Sequence, residues 1–190
     1  MARAVLTLSS RNYSSWSLRG WLLCRLAGLE VDERMVSMDD PDNRAELLLL
    51  SPSVLVPRLT HEGASVWDTL AIAEYLNELY PQAGMFPADR IARAHCRSIS
   101  GEIHSGFANL RSALPMNLRA RPRRFRIFTG AKPDIARIET IWAECLAANG
   151  GPYLFDYSPD MEYLEIVGPA DFGTVDADSP CEVPPVTPWE

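Results

Sequence analysis

Over the first eighty residues, short apolar runs alternate with segments whose apolar positions recur at helical spacing, and beyond them the strand signal stops. Residues 4–8 read as a buried strand. Residues 15–27 read as a helix with Leu18, Trp21, Leu22 and Leu26 along one face, and Gly28 stands where a C-cap belongs. Residues 32–36 make a weaker strand, and residues 43–50 a short helix stopped by Ser51 and Pro52. Residues 57–60 and 65–67 flank His61, Glu62, Gly63 and Ala64, a compact hairpin signal. A helix over 68–79 sets Ile72, Ala73, Leu76 and Leu79 on one side. Strand, helix, strand, hairpin and helix in this order predict a small mixed sheet with helices packed on it.

The second half reads differently. Two prolines and a glycine between Tyr80 and Pro87 suit a linker. Residues 89 to about 114 are predicted helical, Pro115 marks a break, and a further helix over 133–148 opens on Pro133 and closes at Asn149, Gly150 and Gly151. The domain expectation is therefore an α/β unit over 1–80, a linker over 81–88, a partial all-helical domain over 89–155 and a tail over 156–190.

Charge sharpens that division. The net charge is −7, but residues 151–190 hold nine acids and no Lys or Arg, leaving 18 basic and 16 acidic residues in the body. The tail, with prolines at 169, 180, 184, 185 and 188 and no recurring apolar face, reads as disordered. Composition is that of a soluble globular chain, with no apolar stretch near the roughly 20 residues of a membrane span. Met1 to Ala4 runs straight into a strand without the apolar core of a secretory signal. Cys24, Cys96, Cys145 and Cys181 lie far apart, which fits a reducing cytoplasm rather than a zinc site or disulfide framework. Cys24 reads as a packed core residue. His95 and His104, nine apart, lack ligand spacing, so no metal is expected.

Three places carry candidate chemistry. Ser14, Ser15 and Ser17 stand where the first strand gives way to the first helix. Free N–H groups and the helix dipole attract an anion there, and a serine hydroxyl can donate to it, although the same serines also serve as caps. Val56-Pro57 fits either the first residue of an edge strand or a cis turn that leaves the preceding backbone free for a ligand. Asp68 and Thr69 open the third predicted helix. They are good caps, and the same geometry would grip a ligand carboxylate through Thr69 and face a ligand ammonium with Asp68.

Ser14-Ser15-Trp16-Ser17-Leu18-Arg19, Val54-Leu55-Val56-Pro57-Arg58-Leu59 and Val66-Trp67-Asp68-Thr69-Leu70-Ala71 together resemble the three signatures of a glutathione transferase, in the same order and spacing. The first is similar to the zeta class (maleylacetoacetate isomerase-like), and the likeness covers roughly residues 3–155. It implies a thioredoxin-like α/β N-terminal domain followed by an all-α C-terminal domain. It implies glutathione as co-substrate, Ser14 as the hydroxyl that stabilises its thiolate, and Ser15, Val56, Pro57, Asp68 and Thr69 as glutathione-binding residues. Ser15 remains an alternative donor, and Asn12 a distant third. Val56 would pair with the cysteinyl backbone, and Asp68 with Thr69 would hold the γ-glutamyl end. A small electrophile and a homodimer are implied as partners, with His104 and Arg111 toward the substrate pocket.

Two departures qualify the likeness. Leu55 replaces a polar residue often found before this Val-Pro pair. Met161 stands where the family has the aspartate that caps a long buried helix, so the C-terminal part reads as incomplete. An altered frame or early end is one expectation there, and a non-catalytic transferase-fold binding or interaction protein is the alternative function. A third reading is nucleic-acid binding through Arg119, Arg121, Arg123, Arg124 and Arg126. It lacks interleaved aromatics beyond Phe125 and Phe128 and is set aside for a solvated loop; neither nucleic acid nor membrane is an expected partner.

Overall fold

The computed structural model describes residues 4–37, 55–119, 129–150 and 154–155. The expected helix over 43–50, most of the arginine cluster and the tail after Phe155 lie outside the described residues.

β1 (Ala4–Leu8), β2 (Val31–Met35), β3 (Arg58–His61) and β4 (Ala64–Trp67) form one sheet in the order β2-β1-β3-β4. β1 runs parallel to β2, and α1 (Ser15–Leu26) makes the crossover that a parallel pair requires. β1 is antiparallel to β3, with Leu6 opposite Leu59, and β3 is antiparallel to β4. The β3–β4 turn uses Glu62 (φ 49°) and Gly63 (φ 85°), two successive left-handed residues that match the twist of the flanking strands. α2 (Thr69–Leu79) follows β4 directly.

Leu6, Leu8, Leu23, Cys24, Leu59, Ile72 and Leu76 make the core of this unit, joined by Met85 from the connection that follows α2. Burial pushes the Cys24 thiol up to about 12, so it stays protonated and acts as a small apolar filler. The face that α1 buries differs from the one its apolar spacing predicts. Ser17, Gly20 and Cys24 are buried together with Leu18, Leu22 and Leu23, while Trp21 is only half-buried. A Cβ placed on Gly20 would lie 2.5 Å from Pro57 Cβ, so the missing side chain is what lets α1 approach the start of β3.

α3 (Arg90–Ser105), α4 (Ala108–Ala113) and α5 (Lys132–Asn149) follow. The single helix expected over 89–114 is broken at Gly106 and Phe107. Phe107 takes a left-handed conformation (φ 63°), and a Cβ on Gly106 would lie 2.7 Å from the Glu102 carbonyl oxygen. Cys96, Ile99, Ile141, Cys145 and Phe155 form a second, smaller core. Phe86 packs against both cores, and Arg97 on α3 grips Glu74 on α2 through two hydrogen bonds of 2.7 and 2.8 Å. Among the described residues, no helix is long and apolar enough to cross a membrane.

Candidate active site

α1 begins because Ser14 caps it. Ser14 has extended dihedrals (φ −107°, ψ 101°), and its Oγ accepts the Ser17 N–H at 3.2 Å. That bond occupies a lone pair and leaves the Ser14 O–H as a donor from a half-buried position. Ser15 is the first helical residue and makes no capping bond. The neighbouring serines have structural tasks. Ser17 Oγ accepts the Ser9 N–H at 3.1 Å, and Ser10 Oγ accepts the N–H groups of Asn12 and Tyr13. The turn before Ser14 is therefore shaped by three serines, and Ser14, at the cap position, donates to no acceptor among the described residues.

Asn12, weighed above as a donor, is turned to another task. Its Nδ2 donates to Asn117 Oδ1 at 3.1 Å, and its Oδ1 accepts the Arg119 N–H at 3.0 Å. The serine turn is thus clamped to the segment that follows α4.

The Val56–Pro57 peptide is cis, one of the two geometries open for it. Pro57 is fully buried against α1, Val56 is half-buried, and Leu55 is exposed. Asp68 caps α2: Oδ1 accepts the Leu70 N–H at 2.8 Å and the Ala71 N–H at 3.5 Å. Its φ of 80° is uncommon for a side chain with a Cβ and costs about 1–3 kcal/mol, offset here by the capping bonds. Thr69, at the first turn of α2, is buried.

The helical region reaches into this site. His104, in the last turn of α3, places Nε2 2.9 Å from Asp68 Oδ2, and its ring meets Trp16 edge-on at 4.8 Å. Arg19 and Arg111 each hold a guanidinium 4.7 Å from the Trp16 ring centroid, and Arg111 also donates to the carbonyls of Ile103 and Gly106. Burial and the neighbouring Arg111 charge lower Arg19 to about 10; burial lowers Arg111 as well. Both remain cationic at neutral pH. Trp16 is the hub that spacing alone did not single out; an aromatic in the first helical turn followed three residues later by Arg was the available signal.

A four-stranded mixed sheet with a crossover helix, a cis-proline before β3 and a capped helix after β4 defines a thioredoxin-like unit whose site lies where α1, the cis-proline loop and α2 begin. Residues 13–79 match the family model described as Glutathione S-transferase, N-terminal domain. A probable maleylacetoacetate isomerase of Caenorhabditis elegans is 30% identical over 108 residues, covering 57% of this chain and 50% of the relative. The maleylacetoacetate isomerase of Rattus norvegicus is 31% identical over 105 residues, covering 54% and 48%. The chain thus aligns with about half the length of these curated relatives. Among solved structures, a glutathione transferase homologue from Sulfitobacter with bound glutathione superposes with a TM-score of 0.60 at 22% identity, covering 88% of this chain and 81% of that one. A glutathione S-transferase from the Antarctic clam Laternula elliptica gives 0.59 at 20%, covering 85% and 74%. Over part of its length the chain is similar to glutathione S-transferases.

Proposed function

We propose that the chain is a glutathione transferase or glutathione-dependent isomerase that activates the thiol of glutathione for addition to, or isomerisation of, a small electrophile. The observation that carries this reading is Ser14, an N-cap whose Oγ lone pair is bound to its own helix and whose hydroxyl has no acceptor among the described residues. The glutathione thiol loses its proton to water, and the Ser14 O–H donates to the sulfur anion left behind. A free thiol has a pKa of about 8.5, so only a few per cent is ionised at pH 7, and each unit of lowering needs about 1.4 kcal/mol. A hydrogen bond to a charged group supplies about 1.5–3 kcal/mol, and a helix N-terminus about 0.3–1. Together they reach the roughly 2 units of lowering that make the thiolate abundant. The thiolate then forms the new carbon–sulfur bond.

The tripeptide is oriented by the same three elements: the Val56 backbone pairs with the cysteinyl part, and Asp68 and Thr69 hold the γ-glutamyl end. Family likeness extends the reading to a homodimer working in the cytoplasm. The test is retention of the full chain on immobilised glutathione with elution by the free tripeptide, together with conjugation of a chromogenic aryl halide. Retention that disappears in Thr69→Ala supports the proposal; a chain that neither binds nor conjugates refutes it.

A further inference from the structure

Asp68 has two jobs for its two oxygens, and only one of them is local. Oδ1 is committed to the first turn of α2, whereas Oδ2 faces His104 Nε2 across the junction with the helical region. Nε2 of His104 is the nitrogen placed to donate across that contact, because a carboxylate oxygen accepts. Its other nitrogen, Nδ1, is buried and has no hydrogen-bond partner among the described residues. The orientation of the ring is therefore set by Asp68 and by its edge-on contact with Trp16. Trp16 is in turn fixed between the guanidiniums of Arg19 and Arg111, and Arg111 is tied back to the Ile103 carbonyl one residue before His104.

We infer that His104 is a positioning residue for the α-ammonium of glutathione, acting through Asp68 from the helical side of the site. The inference rests on the glutathione reading given above. A carboxylate oxygen has two lone pairs. With one taken by His104, the carboxylate plane is locked and the remaining lone pair of Oδ2 has a single direction in which to meet a ligand cation. Without His104 the carboxylate stays in place through Oδ1, but its outer oxygen turns toward water. The Asp68 φ of 80° sharpens the requirement, because the carboxylate springs from an uncommon backbone geometry.

The test compares glutathione with its des-amino analogue, glutaryl-cysteinyl-glycine, by titration calorimetry on the full chain, wild type and two variants. Wild type binds glutathione more tightly than the analogue. In His104→Ala that preference falls by about tenfold, the worth of one charge-assisted hydrogen bond, while analogue binding changes less than about twofold. His104→Gln, whose side-chain amide carries an N–H to nearly the same place, restores most of the preference. Equal weakening of both ligands in His104→Ala would mean that the residue only supports the fold, and would overturn the inference. So would an unchanged preference in both variants. A wild-type chain that does not distinguish the two ligands would remove the ammonium from Asp68 and the inference with it; failure to bind either ligand would overturn the glutathione reading itself.

Discussion

Ser14 caps its helix and, in the proposed reading, also donates to the glutathione sulfur; substitution can separate the two. Ser14→Ala removes both the oxygen that accepts the Ser17 N–H and the proton assigned to the glutathione sulfur. Loss of an N-cap costs about 0.5–2 kcal/mol, and the 3.2 Å bond here belongs at the lower end. At about 1 kcal/mol the thermal midpoint falls by roughly 2–4 °C. Ser14→Gly keeps most of the capping free energy, because a glycine N-cap costs only a few tenths of a kcal/mol relative to serine, yet it offers no hydroxyl. The thiolate loses the same hydrogen bond in either variant, about 1.5–3 kcal/mol, so the pKa of bound glutathione rises by about 1–2 units in both. Ultraviolet absorbance of the thiolate, followed against pH in the saturated complex, measures that pKa directly; differential scanning calorimetry measures the cap. The expected pattern is equal pKa increases in the two variants with a clear loss of stability only in Ser14→Ala. If bound glutathione ionises in Ser14→Gly as it does in the wild type, Ser14 is a cap and nothing more.

Two further outcomes follow from the packing and the charges. In Gly20→Ala the new methyl must displace Pro57, and overpacking of about 1–3 kcal/mol outweighs the roughly 0.8–1 kcal/mol that alanine contributes to helix propensity. The midpoint should fall and glutathione retention weaken; a raised midpoint with undiminished retention refutes the close approach. The Asp89 carboxyl is held below its ordinary value first by the Ala92 N–H, helped by Ile91, Arg90 and the Arg93 charge, and Glu102 is lowered first by its hydrogen bond to Arg137. Both carboxylates are depressed in the folded chain, so their stabilisation is present above the unfolded value and is lost as pH falls through the lowered folded value. The midpoint should therefore drop progressively below about pH 5, and Asp89→Asn, which still caps α3, should flatten that drop. An identical acid profile in Asp89→Asn would remove Asp89 from the account.

Local chemistry made much of the first unit legible. The β3–β4 hairpin was readable because Glu62 and Gly63 sit between alternating runs, and α2 because Asp68 precedes a regular apolar stripe. The buried face of α1 was legible only in Leu18 and Leu22, since hydrophobic spacing favours large residues while the close approach of Pro57 requires a glycine at position 20. The break between α3 and α4 was hidden for a related reason. Ile99, Ile103, Phe107, Leu110 and Leu114 keep helical spacing straight through it, and only the backbone of Gly106 and Phe107 departs. Within the site, Ser14, Val56-Pro57 and Asp68-Thr69 each carried a local signal, a cap or a turn. His104 meets Asp68, thirty-six positions earlier, a pairing that no sequence window reveals.

The stitch between Asn12 and residues 117–119 has a practical consequence for anyone building hybrids of such proteins. A graft that exchanges everything after Leu79 for the helices of a relative also exchanges the anchor that steadies the bend leading to Ser14. Catalytic power in such hybrids should track whether the donor brings a side-chain amide at the position of Asn117, and not how well the two sheets resemble each other.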